Sequence, residues 1–145
     1  MKIVKVLVLG VILNFIACVP EGEFIVINNS EQEVLKYMDM GEYPDTLLPV
    51  EEPYWNYAIS PLESASLSFE GSCRKMYHNS KRDTLSFFFL SPDTIAKYGW
   101  TDVRENYRIL KRYDLSFSDV ESLDFTIYYP PTNAMRYMKM YPPFE

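Results

Sequence analysis

Hydrophobic and polar residues alternate in several short segments of this chain, and a repeat of two residues is typical of β-strands. Within residues 58–69, Ala65, Leu67 and Phe69 alternate with serines, which predicts a strand with one buried face. Residues 85–90 are apolar on both faces apart from one serine. We therefore expect this strand to lie at the centre of a sheet.

Turn residues separate the other segments with strand character. Residues 24–27 and 34–38 are apolar runs on either side of an Asn-Asn-Ser turn, and this spacing predicts a β-hairpin. Residues 73–90 are interpreted as two strands around a polar turn. Residues 107–113 and 125–129 are also expected to be extended.

Two neighbouring segments carry helix start and stop signals. Ser-Pro-Asp at residues 91–93 combines an N-cap, a proline at the first helical position and an acid in the first turn. Gly99 can end this helix, and Thr101 is expected to cap a second short helix that runs to residue 106.

A third helix is predicted near residue 116. Ser116 with Asp119 resembles a capping box, and Ser118 with Glu121 offers the same box two residues later, so both starts are open. Residues 132–145 show no clean period and are expected to be extended or irregular.

These elements together predict a mainly β fold. We expect a single compact, antiparallel, sandwich-like domain over residues 24–145, with two or three short helices. Hairpin-type spacing and the lack of long crossover segments favour antiparallel sheets. The 12 Tyr, 9 Phe and 2 Trp residues bring large apolar areas to one core.

Residues 1–17 have the layout of a secretory signal peptide. Lys2 and Lys5 precede a run of about eleven mostly apolar residues that ends at the small residue Ala17. A helix that spans a bilayer needs roughly 20 apolar residues, so this run is too short to cross a membrane.

The stretch 15-FIAC-18 resembles the lipobox of bacterial lipoproteins. In that family the cysteine becomes the lipid-bearing first residue of the mature protein, so the resemblance implies that Cys18 is the lipid attachment site. The alternative is a secreted protein in which Cys18 pairs with Cys73. In the lipoprotein interpretation, residues 18–23 form a short acidic tether between the membrane and the domain.

The formal net charge of −6 limits the partners of the chain. An acidic body disfavours nucleic acid, whose phosphates attract lysine and arginine, and it also disfavours direct adhesion to anionic lipid. The basic stretch 108-RILKRY-113 is interpreted as a strand with its cations facing outward. Attachment to the membrane is therefore expected through the lipid on Cys18.

The late segments 97-KYGWTDVRENYRILKRYDLSFSDVESLDFTIYYPP-131 and 139-KMYPP-143 resemble small uncharacterised lipoproteins of Bacteroidota. The shared pattern is a Trp-led helical turn, an Ile-Leu-x-Arg-Tyr strand, a Leu-Ser-x-x-Asp helix start and an aromatic strand that ends in Tyr-Pro-Pro. The resemblance implies a lipoprotein of the cell envelope, anchored to the outer membrane, in its periplasmic or surface-facing leaflet. It implies no catalytic activity.

Residues with catalytic potential are few. His78 is the only histidine, and it is interpreted as a solvated loop residue. Cys73 could act as a nucleophile with His78 as base, but a buried structural thiol is the preferred interpretation. Neighbouring acids such as Glu51 and Glu52 are expected to be solvated. We expect no cofactor and no metal site.

The aromatic group 54-YWNY-57 is the best candidate for ligand binding. Tyr54, Trp55 and Tyr57 could stack on sugar rings or contact a protein, and the alternative is that they pack over the edge of a sheet. The sequence thus favours a non-enzymatic envelope lipoprotein that interacts with a protein or another envelope component. A glycan-binding accessory module is the second hypothesis, and a small hydrolase is the third.

Overall fold

A computed structural model describes residues 22–40, 48–52, 57–80 and 82–145. Its strands are β1 (Glu23–Asn28), β2 (Val34–Asp39), β3 (Ala58–Ile59), β4 (Ser64–Ser68), β5 (Thr84–Leu90), β6 (Lys111–Ser116), β7 (Thr126–Tyr129) and β8 (Lys139–Tyr141). Its helices are α1 (Cys73–Asn79), α2 (Pro92–Tyr98), α3 (Trp100–Glu105) and α4 (Phe117–Ser122), with a 3₁₀ helix at Asn133–Met135. Cys18, Tyr54 and Trp55 lie outside the described residues.

The strands form two sheets. The three-stranded sheet has the order β4-β1-β7, and the five-stranded antiparallel sheet has the order β3-β2-β5-β6-β8. In the smaller sheet, β1 is antiparallel to β4 and parallel to β7. The described part is therefore a mixed α/β structure with four short α-helices, and the prediction of wholly antiparallel sheets with two or three helices is wrong in these two respects. The prediction that residues 85–90 form a central strand is confirmed, since β5 lies between β2 and β6.

The predicted hairpin of the first two strands is wrong, because β1 and β2 belong to different sheets. Asn28 forms a corner at this point rather than a hairpin turn. Its side chain is fully buried, and its Nδ2 donates toward the carbonyl oxygens of Gln32, Ile59 and Ser60 at 2.8, 3.1 and 3.1 Å. The amide thus supplies hydrogen bonds to carbonyl groups of two loops at the point where the chain passes from one sheet to the other.

Helix α1 replaces a strand that the sequence predicted. The side chains of Cys73, Met76 and Tyr77 are buried, and their spacing of three and four residues is that of a helix face. The Oγ of Ser72 accepts a hydrogen bond from the backbone N–H of Lys75 at 3.3 Å and caps the first turn.

The other helix signals are largely confirmed. Ser91 caps α2, and Gly99 ends it with a φ of 79°. Helix α3 begins at Trp100, directly after Gly99, rather than at a Thr101 cap. Helix α4 uses the earlier of the two possible boxes, since Ser116 and Asp119 cap each other's backbone. The tail, expected to be extended or irregular, contains the short strand β8, which pairs with β6, and the 3₁₀ helix at Asn133–Met135.

The main hydrophobic core lies between the two sheets. Phe24 of β1 is fully buried, and its ring lies 5.1 Å from the ring of Phe87 and 5.3 Å from that of Phe69. Tyr129 of β7 stacks on Phe89 of β5 at 5.0 Å. Alternate residues of β1, β5 and β7 thus fill one shared core, as the period of two predicts.

A second, smaller apolar cluster covers the opposite face of the five-stranded sheet. Leu35, Phe88 and Leu90 pack there against Ile95 of α2 and Val103 of α3. Because both faces of β2 and β5 are covered, these strands read as continuous apolar runs in the sequence.

Candidate functional site

A small pocket opens between β2 of the five-stranded sheet and β4 of the three-stranded sheet. It has a volume of about 210 Å³. It is lined by residues of β2, by the end of β4 and by one residue next to β3: Lys36, Tyr37, Met38, Tyr57, Leu67 and Ser68. Pockets for drug-sized ligands measure roughly 300–1,000 Å³, so this one fits a single ring or side chain.

Lys36 is the charged residue of this pocket. Its side chain is only 4% exposed, and among the described residues it makes no hydrogen bond or ion pair. Burial lowers the pKa of its ammonium group, since a low-dielectric surrounding disfavours charge. Its Nζ lies 6.0 Å from the centroid of the Tyr57 ring, at the outer limit of a cation–π contact.

Tyr57 is the one residue of the predicted aromatic group that the structure describes. Its side chain is 37% exposed, so it is available at the mouth of the pocket rather than packed wholly over the sheet edge. The positions of Tyr54 and Trp55 fall outside the described residues, and their exposure stays a prediction.

The outer edge of β4 borders the same pocket. In the smaller sheet β4 pairs with β1 on one side and is the terminal strand on the other. Phe69 N–H donates to Gly22 O at 2.8 Å, and Asn28 N–H donates to Glu63 O at 2.9 Å. Because antiparallel strands bond through alternate residues, the odd-numbered residues of this strand face β1. The N–H and C=O groups of Ser64, Ser66 and Ser68 therefore point away from the sheet.

A buried ionic network occupies another part of the five-stranded sheet. Asp114 Oδ1 accepts a hydrogen bond from Ser86 Oγ at 2.7 Å and lies 3.2 Å from Arg112 Nε. Asp114 Oδ2 lies 3.2 Å from Lys139 Nζ on β8. Arg112 Nη1 also donates to Tyr107 Oη at 2.6 Å. The ion pair of Asp114 with Lys139 connects β6 to β8, so we interpret the network as structural.

The prediction that the cations of 108-RILKRY-113 face outward is wrong for Lys111 and Arg112. Both side chains are buried. Lys111 Nζ donates to the carbonyl oxygens of Pro142 and Pro143 at 2.9 and 3.2 Å. The carbonyl partners of Lys111 lie more than 30 positions away in sequence, and Arg112 is buried by the packing of β6 between β5 and β8, so the local pattern revealed neither.

Cys73 and His78, the candidate catalytic residues, differ in their exposure. Cys73 is a buried free thiol, as predicted, and burial raises its pKa to about 11, which opposes formation of the nucleophilic thiolate. His78 is exposed in the last turn of α1, not in a loop. A groove of about 450 Å³ runs beside α1, and neither residue lines it. Glu51 and Glu52 are exposed, as expected.

Lys36 is the residue that sequence reasoning missed. It stands in the apolar run 34-VLKYM-38, where one cation interrupts a strand that is otherwise hydrophobic. A lysine in such a run is either exposed on a strand with one solvent-facing side or buried because it has a partner or a function. The interruption of an apolar run by a lysine was the signal available from the sequence.

Within the described ranges, no group of three or more His, Cys, Asp or Glu side chains could hold a metal ion. The same residues contain no helix that is long and apolar enough to cross a membrane. No protein-family model, no curated protein and no solved structure matches this chain.

Proposed function

We propose that this chain is a lipoprotein of the cell envelope, lipidated at Cys18 and attached to the outer membrane, whose domain is a non-enzymatic protein-interaction module. In this proposal its sheets pack in a sandwich-like manner, and the partner binds at the pocket of Lys36 and Tyr57. The observation that carries the proposal is Lys36, a buried cation without a described counter-ion at the mouth of an open pocket.

The cost of such a lysine is the main argument for a binding role. An ionised group that leaves water without a partner destabilises the fold, and proteins normally pair such groups. Within the described ranges, the two other buried cations, Lys111 and Arg112, are paired or hydrogen-bonded. A ligand that supplies the missing negative charge would account for the exception.

The surroundings of the pocket favour a protein partner. Tyr57 offers a partly exposed ring, and tyrosine is enriched at the energetic centres of protein interfaces. The outer edge of β4 pairs with no other strand of the described residues and lies beside the pocket, and an extended chain can hydrogen-bond to such an edge.

The test is site-specific photo-crosslinking in cells that express the protein with its own signal sequence. A photoreactive amino acid at Ser68, which lines the pocket, should form a discrete adduct with an envelope protein. The same amino acid at Ala134, an exposed residue of the 3₁₀ helix, serves as the control. Identical adducts at both positions, or no protein adduct at Ser68, would refute the proposed interaction.

A glycan-binding module is the second candidate, and the exposed ring of Tyr57 is the observation in its favour. Aromatic faces stack on sugar rings. A glycan array probed with the wild-type protein and with Tyr57→Ala would test it, because loss of a specific glycan signal in the variant is expected only if the ring forms the platform.

A further inference from the structure

We infer that the pocket binds the carboxylate of a single aspartate or glutamate side chain, carried on an extended segment of the partner that adds to the outer edge of β4. This inference rests on the proposed function and names the chemistry of the partner. The site has two parts, the ammonium group of Lys36 and the backbone groups of three serines.

The charge of Lys36 selects the ligand group. An ammonium group has three donors and no acceptor, so an anionic acceptor makes the strongest hydrogen bond with it. The described residues provide no carboxylate within ion-pair distance of its Nζ. A carboxylate from outside would restore the pairing that buried cations normally have.

The size of the pocket limits what can carry the carboxylate. A volume of about 210 Å³ admits one side chain but not a large ligand. Met38 and Leu67 line the walls, so the methylene groups of an aspartate or glutamate would meet apolar surface while its carboxylate reaches Lys36.

The edge of β4 supplies the second part of the site. Ser64, Ser66 and Ser68 direct their backbone N–H and C=O groups away from β1, and the side chains of all three are exposed. A peptide strand that pairs here would run past Ser68, which also lines the pocket. Because alternate side chains of a strand point to one face, every second residue of the peptide would face the pocket side.

The overall charge of the protein adds a restriction. With a formal net charge of −6, the chain repels strongly acidic segments at long range. One acidic residue among neutral, strand-forming neighbours keeps the local attraction to Lys36 without the general repulsion. We therefore expect a single acid at a fixed position rather than an acidic run.

The experiment selects 12-residue random peptides by display on the mature lipidated protein in detergent. Enriched peptides should share one aspartate or glutamate at a fixed position within β-branched or aromatic residues. Replacement of that acid by its amide in a selected peptide should weaken binding at least tenfold. Selection of peptides that lack an acid, or equal binding of the amide form, would overturn the inference.

Protein variants test the two parts of the site separately. Lys36→Met should weaken binding of the selected peptide at least tenfold, whereas Lys97→Met, which removes the same charge from an exposed position of α2, should not change it. Ser66→Pro should also abolish binding, because proline blocks the outer edge of β4 without removing a bond to β1. Circular dichroism establishes that each variant is folded.

Two outcomes separate this inference from the proposed function. A Ser68 adduct with an envelope protein, combined with peptide binding that survives Lys36→Met, would overturn the carboxylate assignment and leave the interaction module intact. Displacement of the peptide by a galacturonic acid oligosaccharide would indicate a site for acidic sugars and would overturn the peptide assignment.

Discussion

Replacement of Asp114 by asparagine provides a direct measure of the buried network. The variant keeps the size of the side chain and its acceptor for Ser86 Oγ, but it removes the charge that lies 3.2 Å from Arg112 Nε. The side chains of Arg112 and Asp114 are 8% and 5% exposed, so water cannot replace the lost carboxylate.

Removal of one partner from a buried ion pair typically costs about 3–5 kcal/mol, because the other charge stays buried. Arg112 retains its hydrogen bond to Tyr107 Oη, so we expect a loss near the lower limit, about 3 kcal/mol. For a chain of this length each kcal/mol corresponds to roughly 2–4 °C, so Tm should fall by about 6–12 °C.

Urea denaturation and thermal unfolding, both followed by circular dichroism, measure this loss. Lys139→Met is the matched comparison, since Lys139 contacts the same carboxylate but is 65% exposed, and an exposed pair contributes only about 0–1 kcal/mol. Glu121→Gln, at an exposed position of α4, should change stability by less than about 0.5 kcal/mol. If Asp114→Asn loses no more stability than Lys139→Met, the conclusion that the buried pair of Arg112 and Asp114 is the main stabilising contact of the network is refuted.

Four further predictions concern the core, the pocket and the N-terminus. Phe24→Ala should destabilise the domain by about 3–5 kcal/mol in urea denaturation, because it removes a fully buried ring between the sheets; a loss below 1 kcal/mol would contradict that packing. Lys36→Met should stabilise the free protein at pH 7, and this gain in stability should shrink as pH rises toward 10.5. The pKa of Lys36 is lower in the folded state than in the unfolded state. Between these two pKa values the unfolded chain binds more protons, so the stability of the wild type rises with pH. A gain that does not change with pH would count against this explanation. The pKa of the Cys73 thiol is raised from 9.0 to about 11, so the folded protein should contain about 100-fold less thiolate at neutral pH. Maleimide labelling should therefore be at least that much slower in the folded protein than in guanidinium. Similar labelling rates, or a disulfide between Cys73 and Cys18, would contradict a buried free thiol at this position. Cys18→Ala should leave an unprocessed, lipid-free precursor, and mass spectrometry of the native N-terminus decides this point, since an unmodified Cys18 would reject the lipid anchor.

Local signals in the sequence predicted individual elements well where neighbours along the chain determine them. The strand at 64–68 follows from its alternating serines, and the start of α4 follows from the reciprocal bonds of Ser116 and Asp119. Both depend on residues within a few positions of each other. Helix α1 was missed because it is only seven residues long, and its three buried residues, at 73, 76 and 77, are too few to establish a helical period.

The pairing of the strands depends on contacts that the local pattern does not contain. Nothing between residues 28 and 34 shows that the side chain of Asn28 bonds to the backbone of residues 59 and 60, more than thirty positions later. The two-residue spacing of Arg112 and Asp114 is compatible with an exposed strand face, and only the packing of β6 between β5 and β8 buries it. Sheet order and the burial of charge are therefore properties of the assembled fold.

The contrast among the three buried cations separates the scaffold from the candidate site. Arg112 pairs with Asp114 on the same strand, and Lys111 donates to two backbone carbonyl groups near the C-terminus, so both cations have partners within the fold. Lys36 holds nothing together in the described residues, yet burial lowers its pKa, which means that its charge opposes folding. An apolar residue at position 36 would stabilise the fold better than lysine does, so Lys36→Met should be more stable than the wild type at pH 7. The same substitution should weaken binding of the selected peptide, which carries a single acid. A residue that lowers stability but is needed for binding is expected at a functional site.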